Sequence, residues 1–139
     1  MALLFVCCRC GSWEIFEVVY TYKFNKPAKT SELVDTTVHV KVADSIADSM
    51  TPTLYFWDDE NKKLPDAEGW PGTVMTEKDA DGWYSLTFKT YYVYNWIINN
   101  NGGSQTADMS AAGDIWVTIN GTDLSKPSNF TVSTVKPVS

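Results

Sequence analysis

The chain has 139 residues, 44% of them hydrophobic, which suits one domain of ordinary size with flanking sequence and leaves no room for a second full domain. Lys and Arg number 11 against 17 Asp and Glu, and the resulting net charge of −6 repels a phosphate backbone, so nucleic acid is excluded as a partner. His39 is the only histidine, which argues against a histidine-based catalytic or metal centre.

The apolar run Met1 to Cys8 has no basic start and no small-residue cleavage site, and it falls far short of the ~20 residues a membrane span needs. It reads as a leader outside the domain. All three cysteines sit in Cys7-Cys8-Arg9-Cys10, with none elsewhere to pair with or to complete a zinc site. No disulfide framework, structural metal or cofactor is expected, although clustered thiols can still capture a metal. From Trp13, SWEIFEVVYTYKF alternates: Phe16, Val18, Tyr20, Tyr22 and Phe24 fall on one face, and Glu17, Thr21 and Lys23 on the other. This predicts an additional strand or hairpin arm. The Pro-containing NKPAKTSELV, Asn25 to Val34, is a connector. Residues 1–34 are thus leader, extra strand and connector, and the domain proper is expected over 35–136.

Strand-like runs follow at regular spacing: VHVKVA from Val38, TLYFWD from Thr53, TVMTE from Thr73, WYSLTFKT from Trp83 and NWIINN from Asn95, then QTADMS from Gln105, DIWVTI from Asp114 and NFTVSTV from Asn129. No helical period and no internal repeat interrupts them. Short β segments divided by Gly, Pro, Asn and Asp predict an all-β fold, an antiparallel, immunoglobulin-like β-sandwich. Asp79-Ala80-Asp81-Gly82 ends in an Asp-Gly pair between two such runs, a hairpin signal. A calcium loop would need Glu six positions after its glycine, where Phe88 stands.

Alternation sends Leu54 and Phe56 to one face of their strand and Tyr55 and Trp57 to the other. With Leu54 and Phe56 inside, Tyr55 and Trp57 stand outside, about 6.7 Å apart at ~3.3 Å per residue. Trp70 follows a polar loop in the turn Gly69-Trp70-Pro71-Gly72 and can fold back beside them. Three exposed rings are a liability unless a ligand covers them, and a sugar, apolar on its C–H face and polar at its rim, fits. A cross-strand aromatic ladder with Trp70 plugging the end of the sandwich is the competing reading. Trp83, Trp96 and Trp116 lie in apolar strands and read as structural. Asn99-Asn100-Asn101-Gly102-Gly103-Ser104-Gln105 offers amides that both donate and accept, as sugar hydroxyls do, or is simply a turn. Asn101 and Gln105 are the candidate polar contacts.

The succession LYFWDD, WPGTVMTEKDADGWYSLTF, WIINNNGGSQTADM and DIW, spanning about Val38 to Ile119, resembles the starch-binding carbohydrate-binding modules of family 26. WPGxxM and QTAD at this spacing carry the resemblance; the NNNGG loop is slightly longer than the family pattern. The resemblance implies a β-sandwich that binds α-1,4-glucans, starch or malto-oligosaccharides, without cleaving them. Tyr55, Trp57 and Trp70 would stack on sugar rings and Gln105 would bond hydroxyls. It further implies a secreted bacterial context, extracellular or at the cell surface, as part of an amylase or a starch-adhesion protein. Two other functions compete. A small glycoside hydrolase is suggested by Asp58-Asp59-Glu60, Asp66 and Glu68, but adjacent loop acids lack the fixed separation across a cleft that hydrolysis requires. An immunoglobulin-like adhesion module that binds another protein would share the fold and differ only in ligand. Asn120-Gly121-Thr122 and Asn129-Phe130-Thr131 match glycosylation acceptors and read as turn and strand.

Overall fold

The computed structural model describes residues 26–138 in full and, before them, the backbone of two short strands, β1 (Val6–Arg9) and β2 (Ser12–Ile15), paired antiparallel. Cys7 and Cys8 fall on β1. Cys10 and the alternating residues Phe16 to Phe24 lie outside the described residues.

Eight further strands make two four-stranded sheets: β3 (Val34–Val42), β4 (Pro52–Trp57), β5 (Thr73–Val74), β6 (Trp83–Thr90), β7 (Val93–Asn100), β8 (Met109–Ala112), β9 (Ile115–Ile119) and β10 (Phe130–Ser133). The first sheet runs β10-β9-β3-β6 and the second β5-β4-β7-β8. The all-β sandwich expected from the sequence is therefore what forms, with one departure. β3 and β9 pair in parallel, Val38 against Ile115 and Val42 against Ile119, so the sheets are antiparallel-dominated rather than wholly antiparallel. Side-chain alternation sets the face of a strand but not the direction of its neighbour.

The core lies between the sheets and follows the period of two. Thr36, Val38, Val40 and Val42 of β3, Leu54 and Phe56 of β4, and Ile115, Val117 and Ile119 of β9 all point into it. Phe88 of the first sheet stacks on Phe56 of the second at 4.0 Å between ring centroids and meets Tyr94 of β7 edge-on at 5.5 Å. The buried hydroxyls of Thr36 and Thr90 pair with each other, 2.8 Å apart across β3 and β6.

Other boundaries shift. β3 begins at Val34, four residues before the predicted run, and β5 is only two residues long. Gln105 belongs to no strand. β8 starts at Met109, and Gln105 makes a single bridge to Asn99. Asp44–Ser49 forms a 3-10 turn that buries none of its residues, so no apolar period announces it. Asp79 to Gly82 is a turn, in which the Asp79 carboxylate accepts the N–H groups of Asp81 and Trp83 and Gly82 has φ +88°. The runs on either side do not form the expected hairpin: β5 and β6 belong to different sheets, and only Lys78 and Tyr84 bridge beside the turn. Trp83 and Trp96 are buried as expected. Trp116 is not in the core. It faces outward from β9, half-buried, and stacks on His39 with ring centroids 4.6 Å apart and planes 4° from parallel. Among the described residues no helix is long and apolar enough to cross a membrane.

Candidate functional site

β4 alternates as its sequence predicts: Leu54 and Phe56 are buried, and Tyr55 and Trp57 are half-buried on the outer face of the second sheet. Their ring centroids are 5.4 Å apart, closer than backbone rise alone would set, with planes tilted by 42°. Trp70, 46% exposed, completes the cluster, meeting Tyr55 at 5.4 Å and an interplanar angle of 66°. The three rings form an angled cradle rather than a flat shelf.

Trp70 is carried there by a turn that the surrounding residues specify. The Gly72 N–H donates to the Gly69 carbonyl at 2.8 Å, and the Trp70–Pro71 peptide between them is cis. Gly72 has φ +100° and lies against β4 so closely that a Cβ would stand 2.2 Å from the Leu54 carbonyl oxygen. Only glycine fits there. Met75, just beyond, is buried and donates its N–H to the Pro52 carbonyl, pinning the far end of the turn to β4.

Gln105 is exposed, and its bridge to Asn99 places it on the face that carries Tyr55 and Trp57, because antiparallel partners share a face and Asn99 opposes Thr53 in β4. Asn101 is exposed at the loop tip with φ +46°. Asn99 and Asn100 are committed to the scaffold. Buried Asn99 donates through Nδ2 to the Pro71 carbonyl at 2.9 Å and accepts the Gly102 N–H on Oδ1 at 2.6 Å, tying the Trp70 turn to the Gln105 loop. Asn100 accepts the Thr51 N–H and donates to the Ser49 carbonyl. The residue-by-residue reading missed Asn95, which opposes Trp57 on the same face and accepts a hydrogen bond from the Ser110 hydroxyl at 2.7 Å. Counting back by twos from Asn99 would have found it.

The acidic loop is held by a lysine rather than arranged across a cleft. Lys29 Nζ donates to Asp58 at 2.6 Å and to Asp59 at 2.5 Å and lies 3.2 Å from Glu60, while Lys26 pairs with Asp59. Burial alone would raise the Asp58 carboxyl, but the Lys29 ammonium and the N–H groups of Lys62 and Glu60 outweigh it and hold Asp58 below the usual carboxylate range. Asp59 is lowered in the same way, burial being overcome by Lys26 and Lys29. Asp66 accepts the Lys89 N–H. A hydrolytic acid needs a raised pKa and a hydrolytic pair needs a cleft between its members. Asp58 and Asp59 have neither.

Two stacked sheets thus carry an aromatic cluster on one outer face, with amides beside it. The fold is shared with two modules of the beta/alpha-amylase of Paenibacillus polymyxa. CBM25-1 is 12% identical at a TM-score of 0.55, covering 77% of this chain and 97% of that one, and CBM25-2 is 16% identical at 0.54, covering 81% and 100%. It is shared also with CBMbc, family CBM26, of Eubacterium rectale Amy13K, solved in complex with maltoheptaose; identity is 24%, the TM-score 0.52, and 91% of this chain aligns with 56% of that one. No curated protein matches the chain. Residues 45–111, a segment that contains Tyr55, Trp57, Trp70, Asn101 and Gln105, match the family of starch-binding module 26. That family is one of non-catalytic carbohydrate binding.

Proposed function

We propose that the outer face of the β5-β4-β7-β8 sheet binds α-1,4-glucan, with Tyr55, Trp57 and Trp70 stacking on successive sugar rings and Gln105 and Asn101 bonding their hydroxyls. The observation that carries this reading is the cluster of three rings, tilted by 42° and 66°, on the exposed face of a segment that matches a starch-binding family. Coplanar rings suit a flat ligand. Rings set at an angle suit a chain that turns from one residue to the next, as α-1,4-linked glucose does. The module binds without cleaving, and its setting on this reading is a larger secreted bacterial protein, an amylase or a starch-adhesion protein.

The energetics rank the contacts. A stacked glucose covers roughly 100 Å² of apolar surface, about 2.5 kcal/mol at ~25 cal/mol per Å². One net hydrogen bond contributes about 0.5 to 1.5 kcal/mol after competition with water. Trp70→Ala is therefore expected to remove most of the affinity for maltoheptaose in isothermal titration, and Gln105→Ala to weaken it less, with circular dichroism unchanged in both. Folded Trp70→Ala with wild-type affinity would refute the stacking assignment. Failure of the unsubstituted protein to bind either maltoheptaose or insoluble starch would refute the glucan reading itself.

A further inference from the structure

We propose a second glucan-binding site away from the ring cluster, in the cleft between Tyr92 and Trp116 beside the β6–β7 and β8–β9 turns; it rests on the reading that the first face binds glucan. The cleft has a volume of about 650 Å³, within the ~300–1,000 Å³ typical of small-ligand sites. Tyr92, Trp116, Asp35, Asp114, Thr30 and Thr134 are among the residues that line it.

Tyr92 presents its ring at a backbone cost. It sits in the turn between β6 and β7 with φ +76°, where glycine or asparagine is at ease and a bulky side chain is strained. Its N–H is held by the Thr90 hydroxyl, its carbonyl accepts the Gly113 N–H at 2.9 Å, and the residue is 39% exposed. Gly113 passes directly beneath that ring: a Cβ there would meet Tyr92 Cε1 at 3.0 Å. A large aromatic is thus kept at the surface by a conformation that favours its absence. Trp116 stands outward on the far side of the cleft, backed by the His39 ring, which fixes its orientation.

The rim between the rings selects an uncharged donor. Asp35 and Asp114 are acceptors, and they repel anions. Their charge is also partly engaged, since Asp35 accepts from Lys89 at 2.6 Å and Asp114 accepts the Thr37 N–H at 2.8 Å, which weakens the case for a bound cation. Thr30 and Thr134 add hydroxyls. Two rings and an acceptor-rich rim complement a pyranose, whose C–H face stacks and whose hydroxyls donate. Because Trp116 projects from the outer face of one sheet and Tyr55 and Trp57 from the outer face of the other, the two sites would engage separate glucan segments, and adsorption to granules would gain by avidity.

The test is an NMR titration of the full chain with maltoheptaose, alongside Trp70→Ala and Tyr92→Gly. Glycine accepts φ +76° without strain, so Tyr92→Gly removes the ring and should melt no lower than the wild type. The proposal expects amide shifts at Tyr92 and Gly113 and an indole shift at Trp116, all retained in Trp70→Ala. It further expects Tyr92→Gly to lose those shifts, to keep those around Trp70, and to adsorb to granular starch on the order of ten-fold less. Shifts around Trp70 alone, at saturating oligosaccharide, would overturn the second site and leave the first standing. Shifts at neither would overturn both.

Discussion

Trp70 depends for its position on Asn99, whose side chain is wholly buried between the Trp70 turn and the Gln105 loop and bonds both. Asn99→Ala leaves the Pro71 carbonyl and the Gly102 N–H without that partner, at a cost of about 1 to 3 kcal/mol. It also frees the turn to move, so the ordering entropy falls on the ligand at binding. The variant is expected to remain folded, with a lowered melting temperature and a weaker affinity for maltoheptaose, although Asn99 need not touch sugar. Unchanged affinity in a folded Asn99→Ala protein would show that the turn holds its position without this bond. Sequence reasoning assigned the asparagines jointly to ligand or to turn. What separates them is burial and partner: Asn99 and Asn100 are engaged with backbone, whereas Asn101 is exposed at the tip.

At the scale of elements, the segment before β3 is part of the structure of the sandwich rather than a passive connector. Lys29 reaches Asp58 and Asp59 at the end of β4 and lies 5.5 Å from the Tyr91 ring centroid, and the Thr30 N–H donates to the Tyr91 carbonyl. The Asp58 side chain is fully buried, so Lys29→Met strands a buried carboxylate, and losses of about 3 to 5 kcal/mol are typical of such broken pairs. Urea unfolding of Lys29→Met against the wild type measures this; a midpoint shift near zero would mean that water takes over the role of the ammonium. Contacts of this kind are illegible in a single sequence because Lys29 and Asp58 are 29 positions apart and no period links them. Strands were legible where one face is buried. WYSLTFKT is β6 to the residue, and the alternation of TLYFWD gave both the core and the ring face of β4. The parallel β3–β9 pairing was not legible, since Val38 and Val40 alternate identically beside a parallel or an antiparallel neighbour. The outward face of Trp116 has a related reason. Its neighbours Ile115 and Val117 are core residues, and period two then obliges Trp116 to face out.

For the whole molecule, stability should decline in acid. Asp58 and Asp59 are lowered as described; Asp79 is lowered by the N–H groups of Trp83 and Asp81, and Asp123 by the Ser125 hydroxyl and N–H. Below the ordinary value of 3.8 the unfolded chain binds protons that the folded chain refuses, so this contribution is complete above about pH 4 and is lost as pH falls through the folded values. His39 adds an earlier step of the same sign. Burial against Trp116 lowers it from 6.5, with Asp114 opposing, so the unfolded imidazole is the first to protonate as pH drops below that value. Melting temperatures are therefore expected to ease downward below about pH 6.5 and to fall steeply below about pH 4, and a flat profile between pH 7 and 3 would contradict this distribution of charge. The central claim, that the ring cluster on the outer face of the second sheet is where this molecule holds glucan, is tested most directly by a crystal structure of the complex with maltoheptaose. Sugar rings lying within ~4 Å of the faces of Tyr55, Trp57 and Trp70, with a hydroxyl bonded to Gln105, is the predicted result. Maltoheptaose bound with those three rings left bare would contradict it.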